Sequence, residues 1–373
     1  MSSSLFPQEI WDEILDYMAD HFNHKMDMKS ASLASRWLVP RAQFYIFRSI
    51  SIHHSSPAEP GVLAERLLNV MTSSPHLIPH VQDLHVYAGD AESLDAVAQI
   101  PWSNVLQLTL GSVEAASGST ILQDVAKLVG LPSLRGLVFR NGDWDPTHLC
   151  NIFASCTSVK RLIFVQCYPP RLTAPFVPPA TLVTSARPEY ISFDTSNPII
   201  DLLLEPTCPL DLSRLTRLKF VDFDSPKINP FLGRVGRSLT QLHLRGNDKQ
   251  LDNLNLSLLP NLTQIDAYQI YKPFNHLLAR LPRNNRIETI NVLSMSLTST
   301  ESFESAVLER PMPALKHVNV QAQVDENLWA CKFPPRRWEE IVREIEAAFP
   351  QLCESGLLRV VSAPSQTGST ILL

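Results

Sequence analysis

Glycine is scarce in this chain, 12 residues in 373 against 29 prolines. That balance disfavours a glycine-lined phosphate or dinucleotide cradle and fits many short elements joined by proline-punctuated connections. No Gly-x-Ser-x-Gly elbow, no Gly-rich loop ending in Lys-Ser or Lys-Thr and no His-Glu-x-x-His occurs, so the familiar hydrolase, nucleotide and zinc-protease chemistries find no anchor. The six cysteines, Cys150, Cys156, Cys167, Cys208, Cys331 and Cys353, include no Cys-x-x-Cys pair. With no basic-then-apolar leader at the amino terminus, reduced thiols and an intracellular place, cytoplasmic or nuclear, are expected. No apolar run approaches membrane-spanning length. The net charge of -5 argues against nucleic acid or a membrane surface as partner. His148, Cys150, Cys156 and Cys167 match no usual zinc spacing, and Cys156 and Cys167 suit buried positions instead. His21 with His24, and His76 with His80, flank turns and read as solvated. Asp12-Glu13 and Glu339-Glu340 read as solvated helix faces. No catalytic residue, metal or cofactor is expected, and the chain is not read as an enzyme.

What is present is apolar patterning, in a chain that is 45% hydrophobic and long enough for a small domain plus an extended one. The amino-terminal stretch begins with Pro7 at a first helical turn, followed by Glu9, Asp12 and Glu13, the charge sign that a helix start favours. Its apolar residues form two stripes: Ile10, Ile14 and Met18, and Trp11, Leu15 and Phe22. A short helix in a small bundle buries one stripe, so the second predicts a permanent partner. A second helix, Asp27 to Leu38, follows a polar break and stops at Pro40. A third piece, Arg41 to Phe47, leads into alternating Ile50 and Ile52.

The order Pro-x-Glu-Ile, apolar helix, polar break, Ser-Leu-x-Ser-Arg-Trp is carried by Pro7, Glu9, Ile10, Ile14, Leu15, Leu33, Ser35, Arg36 and Trp37. It resembles the F-box, a compact helical module, over roughly the first fifty residues. Phe6 stands where the family usually has the Leu of a Leu-Pro pair, and Met28 where a Leu is common. Residues 53–61 read as a hinge.

From residue 62 to 364 one unit recurs: apolar, two variable, apolar, one variable, apolar. Copies start at Val81, Val105, Leu134, Val159, Leu215, Leu239, Leu262, Ile287 and Leu315. A degenerate copy reads Pro188-Ile191-Phe193, and a terminal one Leu358-Val361-Ala363. Starts about two dozen residues apart suit leucine-rich repeats. Each short strand buries its apolar positions, and stacked units cover one another. Cys167 and Asn247 take the polar corner after two copies. Ile121–Val129 and Phe274–Leu281 predict returning helices, closed by Leu131-Pro132, Leu259-Pro260 and Leu281-Pro282. Residues 168–188 predict a proline-rich surface loop. Trp338, Ile341, Val342, Ile345 and Phe349 share one helical face and predict a capping helix at 335–349. Residues 365–373 read as a loose tail.

The expected architecture is therefore α/β: a small all-helical F-box (1–52), then an α/β solenoid, a leucine-rich-repeat-like horseshoe with a carboxy-terminal capping helix. This combination resembles F-box proteins with degenerate repeats of the fungal type. The resemblance implies the substrate-recognition subunit of a Skp–cullin–F-box ubiquitin ligase: the F-box docks on a Skp-type adaptor, which links it to a cullin–RING ligase, and the repeats capture a target protein. Adaptor contacts are expected among Leu5, Pro7, Ile10, Ile14, Leu15, Met18, Leu33 and Trp37. The alternative is a repeat scaffold without a ubiquitin link. For target capture, Arg217, Lys219, His243 and Arg245 face outward on adjacent repeats as a basic patch, with Arg140 and Arg161 on the same face further along and Asp266 and Tyr268 flanking. Such a patch suits an acidic or phosphorylated peptide.

Overall fold

A computed structural model describes residues 7–21, 24–53, 61–87, 91–111, 119–168, 186–196, 198–223, 227–246, 250–251, 253–267, 272–293, 300–309, 312–322 and 338–362. The chain divides into two compact units between Ala186 and Arg187. Leu5, Asn247, Tyr268, Cys331, nearly all of the expected hinge and proline-rich loop, and the expected tail lie outside the described residues.

The first unit opens with three helices, α1 (Gln8–His21), α2 (His24–Ala34) and α3 (Val39–Arg48). Pro7 sits just ahead of α1 and its carbonyl accepts the Ile10 N–H at 3.2 Å. Leu15, Ala19, Met28 and Ala42 form the interior of this bundle, with Met18, Ala31, Leu38, Tyr45 and Ile46 packed against it. Arg41 binds the Asp16 carboxylate bidentately, Nε to Oδ1 at 2.7 Å and Nη2 to Oδ2 at 2.8 Å, and the Tyr45 hydroxyl donates to Oδ1 at 2.8 Å. This fork fixes α1 on α3.

The chain then runs as strand, returning helix, strand: β1 (Ser49–His53), α4 (Val62–Ser73), β2 (Asp83–Tyr87), α5 (Ala91–Ala98), β3 (Gln107–Gly111), α6 (Ser119–Val129), β4 (Gly136–Gly142), α7 (Pro146–Ser155) and β5 (Arg161–Cys167). These five strands are parallel and lie in sequence order. The sheet starts one strand earlier than the repeat pattern indicates. Ser49–His53 pairs with β2, and Ile52 is buried.

The second unit continues the scheme with β6 (Tyr190–Asp194), α8 (Pro198–Leu204), β7 (Arg217–Val221), α9 (Ile228–Val235), β8 (Gln241–Arg245), β9 (Gln264–Ala267), α10 (Lys272–Ala279), β10 (Thr289–Val292), α11 (Thr300–Leu308), β11 (His317–Ala322), α12 (Trp338–Ala348), α13 (Pro350–Glu354) and β12 (Leu358–Ser362). Its seven strands are again parallel and in sequence order. The repeat copies and the degenerate one coincide with strands. The terminal copy is shifted: Leu358 and Val360 pair with Val318 and Val320, while Val361 is 39% exposed. The residues in step are therefore Leu358 and Val360, not Leu358, Val361 and Ala363. The helix expected at 335–349 is observed over Trp338–Ala348, with Ile345 and the following Phe349 buried. Phe349 meets Phe303 edge-on at 5.9 Å, and buried Glu304 on α11 accepts the Leu352 N–H at 2.7 Å, which fastens this end of the unit.

Register is held by the same device at successive strands. Two consecutive N–H groups at the start of one strand share the carbonyl that precedes its neighbour. Leu106 and Gln107 share Gln82 O at 2.8 and 3.0 Å. Thr240 and Gln241 share Thr216 O at 2.9 and 3.0 Å, and Thr263 and Gln264 share Thr240 O at the same distances. The hydroxyls of Thr240 and Thr263 donate to those same carbonyls at 3.1 Å. At the far ends, Asn141, Gln166, Thr195 and Asp222 take left-handed φ of 46°, 52°, 48° and 47°, a conformation side chains resist and a sharp strand exit requires. Behind the strands the helices bury aromatic columns. Phe139 stacks on Phe164 at 5.3 Å with Phe153 edge-on, and Phe193 stacks on Phe220 at 5.5 Å with Phe231 edge-on.

Candidate functional site

Two surfaces carry chemistry beyond packing, one in each unit. The first is the outside of the three-helix bundle. Ile10 and Ile14 are 41% and 43% exposed, Tyr17 is 61%, and i, i+4, i+7 spacing puts them on one stripe of α1. Leu33 at the end of α2 is 88% exposed, and Trp37 in the turn before α3 is 42% exposed. Gln8 Nε2 donates to the Trp37 carbonyl at 3.1 Å, which brings the start of α1 to that turn. The Arg36 guanidinium lies over the Trp37 ring at 5.0 Å, a cation–π contact that holds the indole outward. Pro7 is exposed beside this turn.

Of the four adaptor-contact candidates on α1, Ile10, Ile14, Leu15 and Met18, two turn to the bundle interior. Leu15 is 1% exposed and Met18 packs on the interior, so both are bundle core. They lie on the side of α1 that α2 and α3 close, which sequence spacing alone does not distinguish from the open side. Pro7, Ile10, Ile14, Leu33 and Trp37 remain available, and Tyr17 and Met26, at 61% and 66% exposure, join them.

The second surface is the polar face of β6 to β11. In-register pairing aligns Ser192, Lys219, His243, Asp266, Asn291 and Asn319 in one row, and Tyr190, Arg217, Gln241, Gln264, Thr289 and His317 in the row before it. The structure thus brings Lys219 beside His243, with Arg217 and Arg245 on neighbouring rows. The patch is not purely basic. Asp266, only 6% exposed, sits in the same row and organises the amides around it. Its Oδ1 accepts Gln264 Nε2 at 2.8 Å and Asn291 Nδ2 at 2.5 Å, and its Oδ2 accepts Gln241 Nε2 at 2.6 Å. Asn319 Nδ2 donates in turn to Asn291 Oδ1 at 2.7 Å. His243 Nδ1 stands 3.9 Å from Oδ2. Burial alone would push the Asp266 carboxyl up, but the His243 imidazole and the Gln264, Gln241 and Asn291 amides hold it below the usual range, so it stays ionised. Burial pulls the Lys219 ammonium below the usual lysine range, with Asp194 opposing and Arg245 adding.

Arg140 and Arg161 belong to the first unit and do not form a cluster there. Arg140 pairs with Val165, whereas Arg161 pairs with Gly136, four residues earlier on β4 and about 13 Å away at strand spacing. The residues between them on that face, Val138 and Ile163, are buried. Arg161 acts on Asp83, whose carboxyl is pushed up by burial and drawn down by Arg48, His85 and Arg161. The Asp266 network was absent from the sequence reading. Its signal was there: Gln241, Gln264, Asn291 and Asn319 all fall on variable positions of consecutive repeats.

Cys150, Cys156, Cys167 and Cys208 are buried and unbridged, and burial pushes the Cys156 thiol up to about 12, an unreactive group. Among the described residues no cluster of His, Cys, Asp and Glu could hold a metal ion, and no helix is long and apolar enough to cross a membrane. No protein-family model matches the sequence, and a search of curated proteins finds no significant relative.

Proposed function

We propose that this chain is the substrate-recognition subunit of a Skp–cullin–F-box ubiquitin ligase, its amino-terminal helices acting as an F-box and its strand–helix units as a leucine-rich-repeat-like capture domain. The observation that carries this reading is the divided α1. Leu15 and Ala19 complete a closed interior with Met28 and Ala42, while Ile10 and Ile14 stay outside. A bundle whose core is already sealed gains nothing from further large aliphatic side chains on its surface. Together with Leu33 and Trp37 they make a patch whose burial requires a second protein. The motif order over Pro7 to Trp37 names the partner by resemblance: a Skp-type adaptor, and through it a cullin–RING ligase.

Such a subunit performs no bond chemistry. It raises the effective concentration of a target near the charged ubiquitin carrier, and its contribution is positional. The target side falls to the polar face of β6 to β11, where hydrogen-bonded amides and half-buried cations sit on rigid strands.

Co-expression with a Skp-type adaptor, with and without residues 1–50, tests the reading. The full chain retains the adaptor through affinity purification and size-exclusion chromatography, and the truncated chain does not. Equal recovery of the adaptor with both would refute it.

A further inference from the structure

The face assigned above to target capture changes character from β9 onward. Strands β9, β10 and β11 hold one carboxylate, Asp266, and no lysine or arginine. Asp266 is buried, and its one ion-pair partner among the described residues is the His243 imidazole, 3.9 Å off. A buried carboxylate is ordinarily matched by a cation. Here its charge is passed outward instead. Gln241, Gln264 and Asn291 turn their N–H groups to Asp266, which leaves their carbonyls on the side away from it, and Asn319 repeats the step on Asn291. Amides aligned in this way polarise one another and bring the negative end of each chain to the surface. The carbonyl oxygens of Gln264 and Asn319 end two of these relays with no partner among the described residues. Thr289 stands between them, flanked in register by Gln264 on β9 and His317 on β11. Its hydroxyl has no partner among the described residues, and His317 Nδ1 is buried without one. Lys316, just ahead of β11, is already taken by Glu288 at 2.8 Å.

We propose that the half-buried surface around Thr289 binds the ammonium group of a lysine side chain on the captured protein. The inference rests on the reading of the second unit as the capture module. Charge decides the sign of the ligand: the carboxylate beneath has no lysine or arginine against it, and the groups above it that remain open are acceptors. Geometry decides the kind of cation. The acceptors belong to separate strands about 5 Å apart, and three N–H groups already fill Asp266, so no free carboxylate edge is left for a planar guanidinium fork. A compact ammonium with three rotatable donors meets Gln264 Oε1, Thr289 Oγ1 and Asn319 Oδ1 one at a time. The cations Arg217 and Lys219 lie on β7, two strands from Gln264 and Asp266. The face is therefore bipolar, basic at β7 and acceptor-rich from β9 to β11, and an acidic peptide alone would leave the second end unused.

The test uses the full-length chain with fluorescein-labelled hexalysine and its fully Nζ-acetylated form, read by fluorescence anisotropy at low and moderate salt. Hexalysine binds, the acetylated peptide does not, and added salt weakens binding. Thr289→Lys sets an ammonium of the chain's own among the acceptors and weakens hexalysine by about tenfold or more. Thr289→Glu adds a carboxylate at the same place and tightens it by several-fold, a gain that reads the site even should Thr289→Lys lower the melting temperature. Glu65→Gln, which makes the same change in net charge as Thr289→Lys at an exposed position on α4, leaves binding unchanged and so separates this site from general attraction to an acidic chain. Equal binding of the acetylated peptide, hexalysine binding unmoved by both Thr289 variants, or an equal loss in Glu65→Gln would overturn the proposal. Adaptor capture measured on the same preparations reads the ligase assignment separately: adaptor retained without hexalysine binding refutes only the ammonium site.

Discussion

Truncating the two exposed isoleucines of α1 separates partner-facing from core-facing apolar residues. Fully burying an isoleucine side chain is worth about 1.5–3 kcal/mol. Ile10 and Ile14 retain 41% and 43% of their exposure in the free chain, so roughly two-fifths of that value remains for a partner to collect from each. Ile10→Ala with Ile14→Ala therefore costs about 1–2 kcal/mol of adaptor affinity, a weakening of roughly 5- to 30-fold. Replacing both with Asp adds the desolvation of two charges and abolishes binding. Either pair lowers the melting temperature modestly, because the covered part of each side chain already packs on the bundle, but neither opens its interior. Leu15→Ala behaves in the opposite way. It opens a cavity beside Ala19 and Met28 and costs about 2–5 kcal/mol of bundle stability. The assay is titration calorimetry against a purified Skp-type adaptor, paired with thermal denaturation of the free chain. Adaptor affinity untouched by the double alanine change, or a collapse of stability equal to that of Leu15→Ala, would show that the division of α1 into two faces is wrong.

Asp16 gives a pH prediction. Hydrogen bonding from Arg41 holds its carboxyl below the usual range, burial opposes this, and Tyr45 adds to the lowering. A depressed folded-state value means that the bond contributes above the unfolded pKa and is lost as pH falls through the folded one. The α1–α3 fork should loosen only below about pH 4, and Asp16→Asn should cost at most about 1 kcal/mol at neutral pH because the pair is partly exposed. Acid titration of wild type and variant by circular dichroism checks both. Asp266→Ala leaves three amide donors without their acceptor and should cost about 2–4 kcal/mol in urea denaturation. Two glycines at the end of α9 should respond in opposite directions. Gly233 has nothing within 4 Å of an added Cβ, so Gly233→Ala should stabilise by about 0.5–1 kcal/mol. At Gly236 the added atom would fall 2.1 Å from the Leu258 carbonyl oxygen, and Gly236→Ala should lower the melting temperature by several degrees.

The strands β2 to β11 were legible because each carries two buried apolar residues flanking one outward position, a short signature that recurs along the chain. β1 escaped because it follows α3 directly, with no turn residues to announce it, and only Ile52 of its two isoleucines is buried. β12 was found in the wrong step because Leu358-Arg359-Val360-Val361 offers two apolar partners for Leu358, and only pairing with Val318 and Val320 chooses between them. On α1, 3.6-residue spacing groups Met18 with Ile10 and Ile14, yet Met18 packs against the interior formed by Leu15, Ala19, Met28 and Ala42. The basic patch follows from cationic residues at outward positions of adjacent repeats. That Asp266 ties three amides together depends on which variable positions become neighbours, and this is a property of strand register rather than of any single repeat.

The paired N–H groups that share one carbonyl at each strand start make the rungs interchangeable. Thr216, Thr240 and Thr263 play identical parts on three successive steps, as acceptor to the step above and donor to the step below. Excising the chain from Gln241 through Thr263 would leave Thr240 joined to Gln264 with every clamp intact, and the clamp already recurs over steps of unequal length, those from Thr216 to Thr240, Thr240 to Thr263 and Thr263 to Glu288 differing by a residue or two. The architecture is therefore open to gaining or shedding whole steps, and it takes up small differences in length in the connections between strands.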